Sequence, residues 1–185
     1  MRSYKVLRTQ SFQIGDFKIL PIRQCDRYDI MKWRNDQIFH LRQNEPLTME
    51  EQDNYFEKVI SKIFKEEEPN QILFSLLRGD EFVGYGGLVH INWIDRHAEV
   101  SFLMNTDLEN LFFRNFWSVF LRFIDIIAFN ELKLKKIIIY AYDLRPHLYE
   151  VLELNGYFLD ARLKDHYLFE GMFIDVVIYS KLSNL

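Results

Sequence analysis

The chain has a single cysteine, Cys25, among its 185 residues. One thiol excludes an intramolecular disulfide and any metal site built from several cysteines of one chain, and it favours a reducing compartment. Long hydrophobic runs are also missing. Nowhere do about 18 apolar residues follow one another without a charge, and the opening MRSYKVLRTQSFQIGDFK has no apolar core of signal-peptide type. Neither membrane spanning nor secretion is expected, and the predicted location is cytoplasmic.

Basic charge is not in excess either. The formal net charge is −4 and the pI about 5.8, which argues against a broad electrostatic footprint for nucleic acid. The short cluster Lys133, Lys135 and Lys136 reads as a solvated turn. No HExxH pair, no histidine pair at ligand spacing and no Walker-type glycine loop occurs, so no metal is expected and P-loop chemistry has no support. Internal repeats and low-complexity tracts are absent.

What is present is apolar and aromatic material, 49% and 16% of residues. That suffices for one globular domain over residues 1–185 with a sizeable core. The segment FKILPIR, 17–23, alternates as a strand with Pro21 suited to an edge. DRYDIMKWRND reads as a helix, and a second helix starts at TMEEQ, where Thr48 and Glu51 form a capping-box pattern. QILFSLLRGDEFVGYGGLVHINWIDRHAEVSFLM then reads as three antiparallel strands turning at Gly79-Asp80 and around Asn92 to Arg96. Gly84, Gly86 and Gly87 crowd the middle strand and predict a bulge or a close approach.

Phe113, Phe116, Trp117, Phe120, Leu121, Ile124 and Ile127 follow at helical spacing, a stripe that predicts packing against the sheet. KKIIIYAY reads as a buried strand, and a helix runs from Pro146 to an Asn155-Gly156 cap. The arms HYLFE and FIDVVIYSKL close the chain as a hairpin turning at Gly171. The fold class is α/β with one mixed central sheet flanked by helices.

Three stretches, MKWRND with LTMEEQ, HAEVSFLMN, and AFNELKLKKIIIYAYDLRPHLYEVLELNGY, resemble in order and spacing the GNAT superfamily of N-acetyltransferases. The similarity is to the branch of ribosomal-protein and amino-sugar nucleotide acetyltransferases and covers nearly the whole chain. It implies a sheet splayed between its fourth and fifth strands, HAEVSFLM and KKIIIYAY, to admit the pantetheine arm of acetyl-CoA as co-substrate. It also implies coenzyme A pyrophosphate at the junction NTDLENLFFRNFW, where a helix start offers free N–H groups and positive potential.

That junction holds no glycine. Phe112, Asn115 and Trp117 align with the family's loop positions, Arg114 offers phosphates a charged fork, and Phe116 lies between them. The family's helix-opening asparagine appears as Arg145. Its tyrosine general acid aligns with Leu152, leaving Tyr149 one turn earlier as the candidate.

By the same resemblance Glu99 would take the amine's proton, directly or through water, because an ammonium near pKa 10 has no lone pair to attack with. A strand N–H in the region Phe102, Leu103 and Met104 would stabilise the thioester oxygen. Arg34, Asn35, His40 and Arg42 would line the acceptor side, where two arginines suit an anionic acceptor. His90 would face either core or cleft.

The expected acceptor is a small-molecule primary amine, an amino-sugar nucleotide before a peptide N-terminus. Two alternatives stay open: a non-catalytic domain using Leu111 to Trp117 as an apolar contact patch, and a homodimer formed through the edge of the final hairpin.

Overall fold

The computed structural model describes residues 2–183. Eight strands form one sheet: β1 Phe12–Ile14, β2 Phe17–Pro21, β3 Ile72–Arg78, β4 Glu81–Asn92, β5 His97–Met104, β6 Lys136–Tyr142, β7 Phe158–Phe169 and β8 Met172–Leu182. Their order is β1-β2-β3-β4-β5-β6-β8-β7. Only β5 and β6 run parallel. The helices are α1 Arg27–Asp36, α2 Met49–Tyr55, α3 Glu109–Asp125 and α4 Pro146–Leu154. α2 continues through a wide turn, Phe56–Ile60, into Ser61–Ile63, and α3 ends in a similar wide turn, Ile126–Glu131.

This is the mixed α/β sheet that the pattern predicts, with two additions: the short β1, and a β7 that starts at Phe158, well before HYLFE. Local chemistry accounts for the boundaries. Thr48 and Glu51 complete a reciprocal capping box at α2. The β7–β8 hairpin turns through Glu170 and Gly171, both at positive φ, 47° and 82°, as a two-residue turn matched to strand twist requires.

Side-chain alternation divides the sheet into two faces. One carries Phe17, Phe74, Gly86 and Phe102 under α3; Phe120 stacks on Phe102 with ring centroids 4.1 Å apart, and Phe116 meets Phe17 edge-on at 5.3 Å. The glycine cluster serves both predicted purposes. The register shift between Leu76↔Gly84 and Leu77↔Phe82 marks a bulge in β4 next to Gly84, and Gly86 makes room for the helix, since a Cβ there would lie 2.1 Å from the Ser101 carbonyl oxygen and 2.9 Å from the Phe120 ring. The other face carries Tyr85, Leu103 and Glu99 under α1 and α2.

The feature that positions the site is a parting of strands. β5 and β6 pair only at His97↔Lys136, Ala98↔Ile137 and Glu99↔Ile138. Beyond that point β5 stays with β4 to Met104, and β6 stays with β8 to Tyr142. Among the described residues no helix is long and apolar enough to cross a membrane.

Candidate active site

The free edge of β5 in the gap follows from alternation. The Asn105 N–H donates to the Val83 carbonyl of β4 at 2.9 Å. Peptide groups in a strand alternate sides, so Leu103 and Ser101 also donate toward β4, while Phe102 and Met104 point their N–H groups into the gap. The Met104 carbonyl, on that same side, accepts from the Gln37 side chain at 2.9 Å. Phe102 is thereby the open donor at the centre of the gap. Leu103, expected as an equal candidate, is corrected: its N–H belongs to the ladder.

A cleft of about 510 Å³ passes through the gap. On its α1/α2 side stand Arg34, Arg42, Glu99, Tyr140 and Tyr142. Arg42 forms an ion pair with Glu99 and lies over the Tyr140 ring, 4.9 Å from its centroid. Arg34, half-buried, donates to Gln43 Oε1 and to the Tyr85 hydroxyl, each at 3.0 Å. It meets no carboxylate among the described residues. The neighbouring Tyr85 hydroxyl pushes its pKa up, so it stays a cation. His90 is exposed on the cleft rim; its backbone, at φ 51°, occupies the irregularity between Val89 and Asn92 that turns it outward.

On the far side the cleft is walled by Trp117, Leu148 and Arg145. A second cavity of about 540 Å³ lies between the start of α3 and α4, lined by Glu109, Asn110, Arg114, Arg145 and His147 among others. Arg145 borders both. Burial draws its pKa down to about 10, opposed by Glu109. His40 lines the cleft nearby; burial, then the Arg145 charge, hold its pKa at about 3, so the ring is neutral at physiological pH.

Several expected positions do not form the anion-binding loop that the resemblance implies. Asn115 and Trp117 lie past the first turn of α3, where N–H groups are already bonded within the helix, so no loop exists there. Phe112 stacks on Phe116, centroids 5.3 Å apart, beneath Arg78 and away from both cavities. Phe116 is fully buried core. Trp117 packs edge-on to Phe102 at 5.1 Å and serves as cleft wall. The helix starts instead at Glu109, whose N–H already donates to the Thr106 carbonyl of the preceding 3-10 turn. Arg114 does line the outer cavity but pairs with Glu150 at 3.3 Å on the surface.

Tyr149 is displaced from its expected role. Its hydroxyl donates to Asp143 Oδ1 at 2.6 Å and its ring stacks on Tyr179, outside the cleft. Burial and Asp143 raise its pKa well above the usual phenol value. Asn35 is likewise consumed: its amide oxygen accepts from the Leu47 N–H at 2.7 Å, and its nitrogen donates to the Leu47 carbonyl at 2.9 Å, pinning the loop before α2. The contact patch fails on burial. Of Leu111 to Trp117, Phe116 and Trp117 are core, and Leu111 is the large apolar side chain left exposed.

Tyr140 and Tyr142 in the cleft and Glu109 in the outer cavity are lining residues with no signal in the sequence that marks them. Period-two spacing does place Tyr140 and Tyr142 on one face with Ile138, but alternation alone does not say which face borders a cleft.

The acetyltransferase (GNAT) domain family profile matches residues 19–178. The chain therefore belongs to this family, the class of acetyl-CoA-dependent N-acetyltransferases. Among solved structures, the chain resembles spermidine N-acetyltransferase from Vibrio cholerae in complex with CoA and spermine, with TM-score 0.78 and 18% identity over 91% of this chain and 96% of that one. A dodecameric structure of that enzyme in an intermediate state gives 0.76 and 18% over 90% and 94%. At such identity the likeness shows the fold. A comparison with curated protein sequences finds no match.

Proposed function

We propose that this protein moves an acetyl group from acetyl-CoA to a primary amine carried by an anionic small molecule, an amino-sugar nucleotide being the first candidate. The observation that carries the reading is the cleft through the sheet, with the Phe102 N–H open at its centre and the Glu99 carboxylate on its acceptor side. The residues fit a thioester: a polar N–H for its oxygen, apolar walls from Trp117 and Leu148 for the pantetheine arm, and an under-paired guanidinium at the outer end.

The amine arrives as an ammonium. Glu99, shared with Arg42, takes its proton directly or through water, and the neutral nitrogen attacks the carbonyl carbon. Negative charge gathers on oxygen near the Phe102 N–H. The C–N bond forms, the nitrogen of the tetrahedral adduct gives up its second proton to solvent as the C–S bond breaks, and the departing thiolate takes a proton from solvent. No covalent enzyme intermediate is needed.

The acceptor's charge follows from the balance of the cleft. Arg34, Arg42 and Arg145 face it against one carboxylate, Glu99, already paired. A polycation such as spermine, bound by the Vibrio cholerae neighbour, would be repelled here, whereas phosphate or carboxylate would satisfy Arg34 bidentately. Acetylation of a panel holding a nucleotide-linked amino sugar, spermidine and a free-amine peptide tests this. Turnover of the anionic amine is expected; preference for spermidine would overturn the charge argument. The dodecamer of that neighbour and the uncovered β7 edge also support self-association, which light scattering reads.

A further inference from the structure

Arg145 is the least satisfied cation in the site. Its side chain is 12% exposed, and its one hydrogen-bond partner among the described residues is Glu109 Oε1, at the long distance of 3.4 Å. A guanidinium has five N–H donors in a planar fork. Arg145 lines both cavities, and its other donors have no side-chain hydrogen-bond partner among the described residues. Below it, the rings of Phe113 and Trp117 lie 5.8 and 5.9 Å from the guanidinium carbon and hold it by cation–π attraction. Pro146, at the first position of α4, leaves Arg145 non-helical and confines the direction of the side chain.

Glu109 is the second half of the arrangement. Its carboxylate occupies the first turn of α3, where positive helix potential favours an anion. A carboxylate reaching a fork-shaped cation in one long contact satisfies it poorly; a diphosphate, with several oxygens, would do so through two parallel bonds.

We propose that Arg145 is the residue that grips the diphosphate of the acyl carrier in this chain, and that Glu109 is a built-in stand-in which the diphosphate must displace. The site needs no glycine loop because a side chain, placed between the outer cavity and the cleft, performs the capture. In the ligand-free protein the same guanidinium is held by Glu109, so the partition between the cavities is closed by the protein's own ion pair. Entry of the carrier exchanges one anion for another at Arg145 and opens the way to Phe102. Free Glu109 then faces bound phosphate, a repulsion that weakens affinity and speeds release of spent coenzyme A.

The inference rests on acetyl-CoA being the donor. It is tested by calorimetric titration of the full chain, Glu109→Gln and Arg145→Met with acetyl-CoA, and with S-acetylpantetheine, which ends before the diphosphate. Glu109→Gln is expected to bind acetyl-CoA about 3- to 10-fold more tightly, since removing a competing anion restores an interaction of order 1 kcal/mol. Its melting temperature should rise further on adding acetyl-CoA than the parent's.

Arg145→Met is expected to lose at least about tenfold, with S-acetylpantetheine responding equally in all three proteins. Unchanged or weaker acetyl-CoA binding by Glu109→Gln would overturn the stand-in role, and it does so even if Arg145→Met does not fold. Parallel changes with S-acetylpantetheine would overturn the diphosphate assignment. Failure of the parent to bind either ligand would instead overturn the donor reading, and this inference with it.

Discussion

Glu99 of β5 stands opposite Ile138 of β6 in the last paired position before the two strands part. The carboxylate therefore sits at the hinge of the gap, one residue from the first free stretch of β5 and three from Phe102, whose N–H opens into the cleft. In the proposed mechanism, proton removal and oxyanion stabilisation are thus set on one strand, at a spacing the strand geometry fixes.

Replacement of Glu99 by Gln keeps the shape and removes the proton acceptor. Turnover is expected to fall at least about tenfold, with acetyl-CoA affinity unchanged in a calorimetric titration. Parent-like kinetics on the acetylated amine would take Glu99 out of the mechanism.

Arg34→Met leaves the Tyr85 hydroxyl and Gln43 without their shared donor. For an anionic amine, KM is expected to rise about 10- to 100-fold, the worth of a charged hydrogen bond of roughly 1.5–3 kcal/mol, while kcat changes little. An equal loss with an uncharged amine would show that Arg34 only braces the cleft.

Gly86→Ala would force a methyl group into the Ser101 carbonyl and the Phe120 ring, at 2.1 and 2.9 Å. Because both neighbours belong to the packed sheet and α3, a loss of about 1–3 kcal/mol is expected in denaturant unfolding. Parent-like stability would mean that α3 can lift away from β4 freely.

His40 titrates near pH 3 when folded and near pH 6.5 when unfolded, burial being the larger cause and Arg145 the second. Between those values the unfolded chain binds more protons, so stability falls as pH drops from about 6.5 toward 3, by up to roughly 1.4 kcal/mol per pH unit from this residue. Thermal melts of His40→Gln against the parent isolate the effect from carboxylate protonation. The variant should show the shallower decline; identical slopes would mean that His40 is solvated.

Local and periodic features were legible in the sequence. The capping box at Thr48 and Glu51, Pro146 at the head of α4, the stripe from Phe113 to Ile127 and the hairpin turn at Gly171 each depend on residues close along the chain. The parting of two strands was expected from family resemblance, and the register ending at Glu99↔Ile138 bears it out. What failed was the one-residue alignment of the anion site. By the family resemblance Phe112, Asn115 and Trp117 align with a loop, whereas α3 starts at Glu109 and absorbs all three into regular turns.

By itself, then, the sequence determined the order of elements, the absence of disulfide and spanning helix among its patterns, and the aromatic face that binds α3 to the sheet. These follow from hydrophobic period and turn chemistry, which act over a few residues. Only the tertiary structure decided that Tyr149 turns to Asp143 and away from the cleft, that Asn35 is spent on Leu47, and that Arg145, which borders both cavities, meets Glu109, 36 positions distant. Those outcomes depend on which buried polar group finds a partner after the layers pack, a choice made by distances in space that no local pattern records.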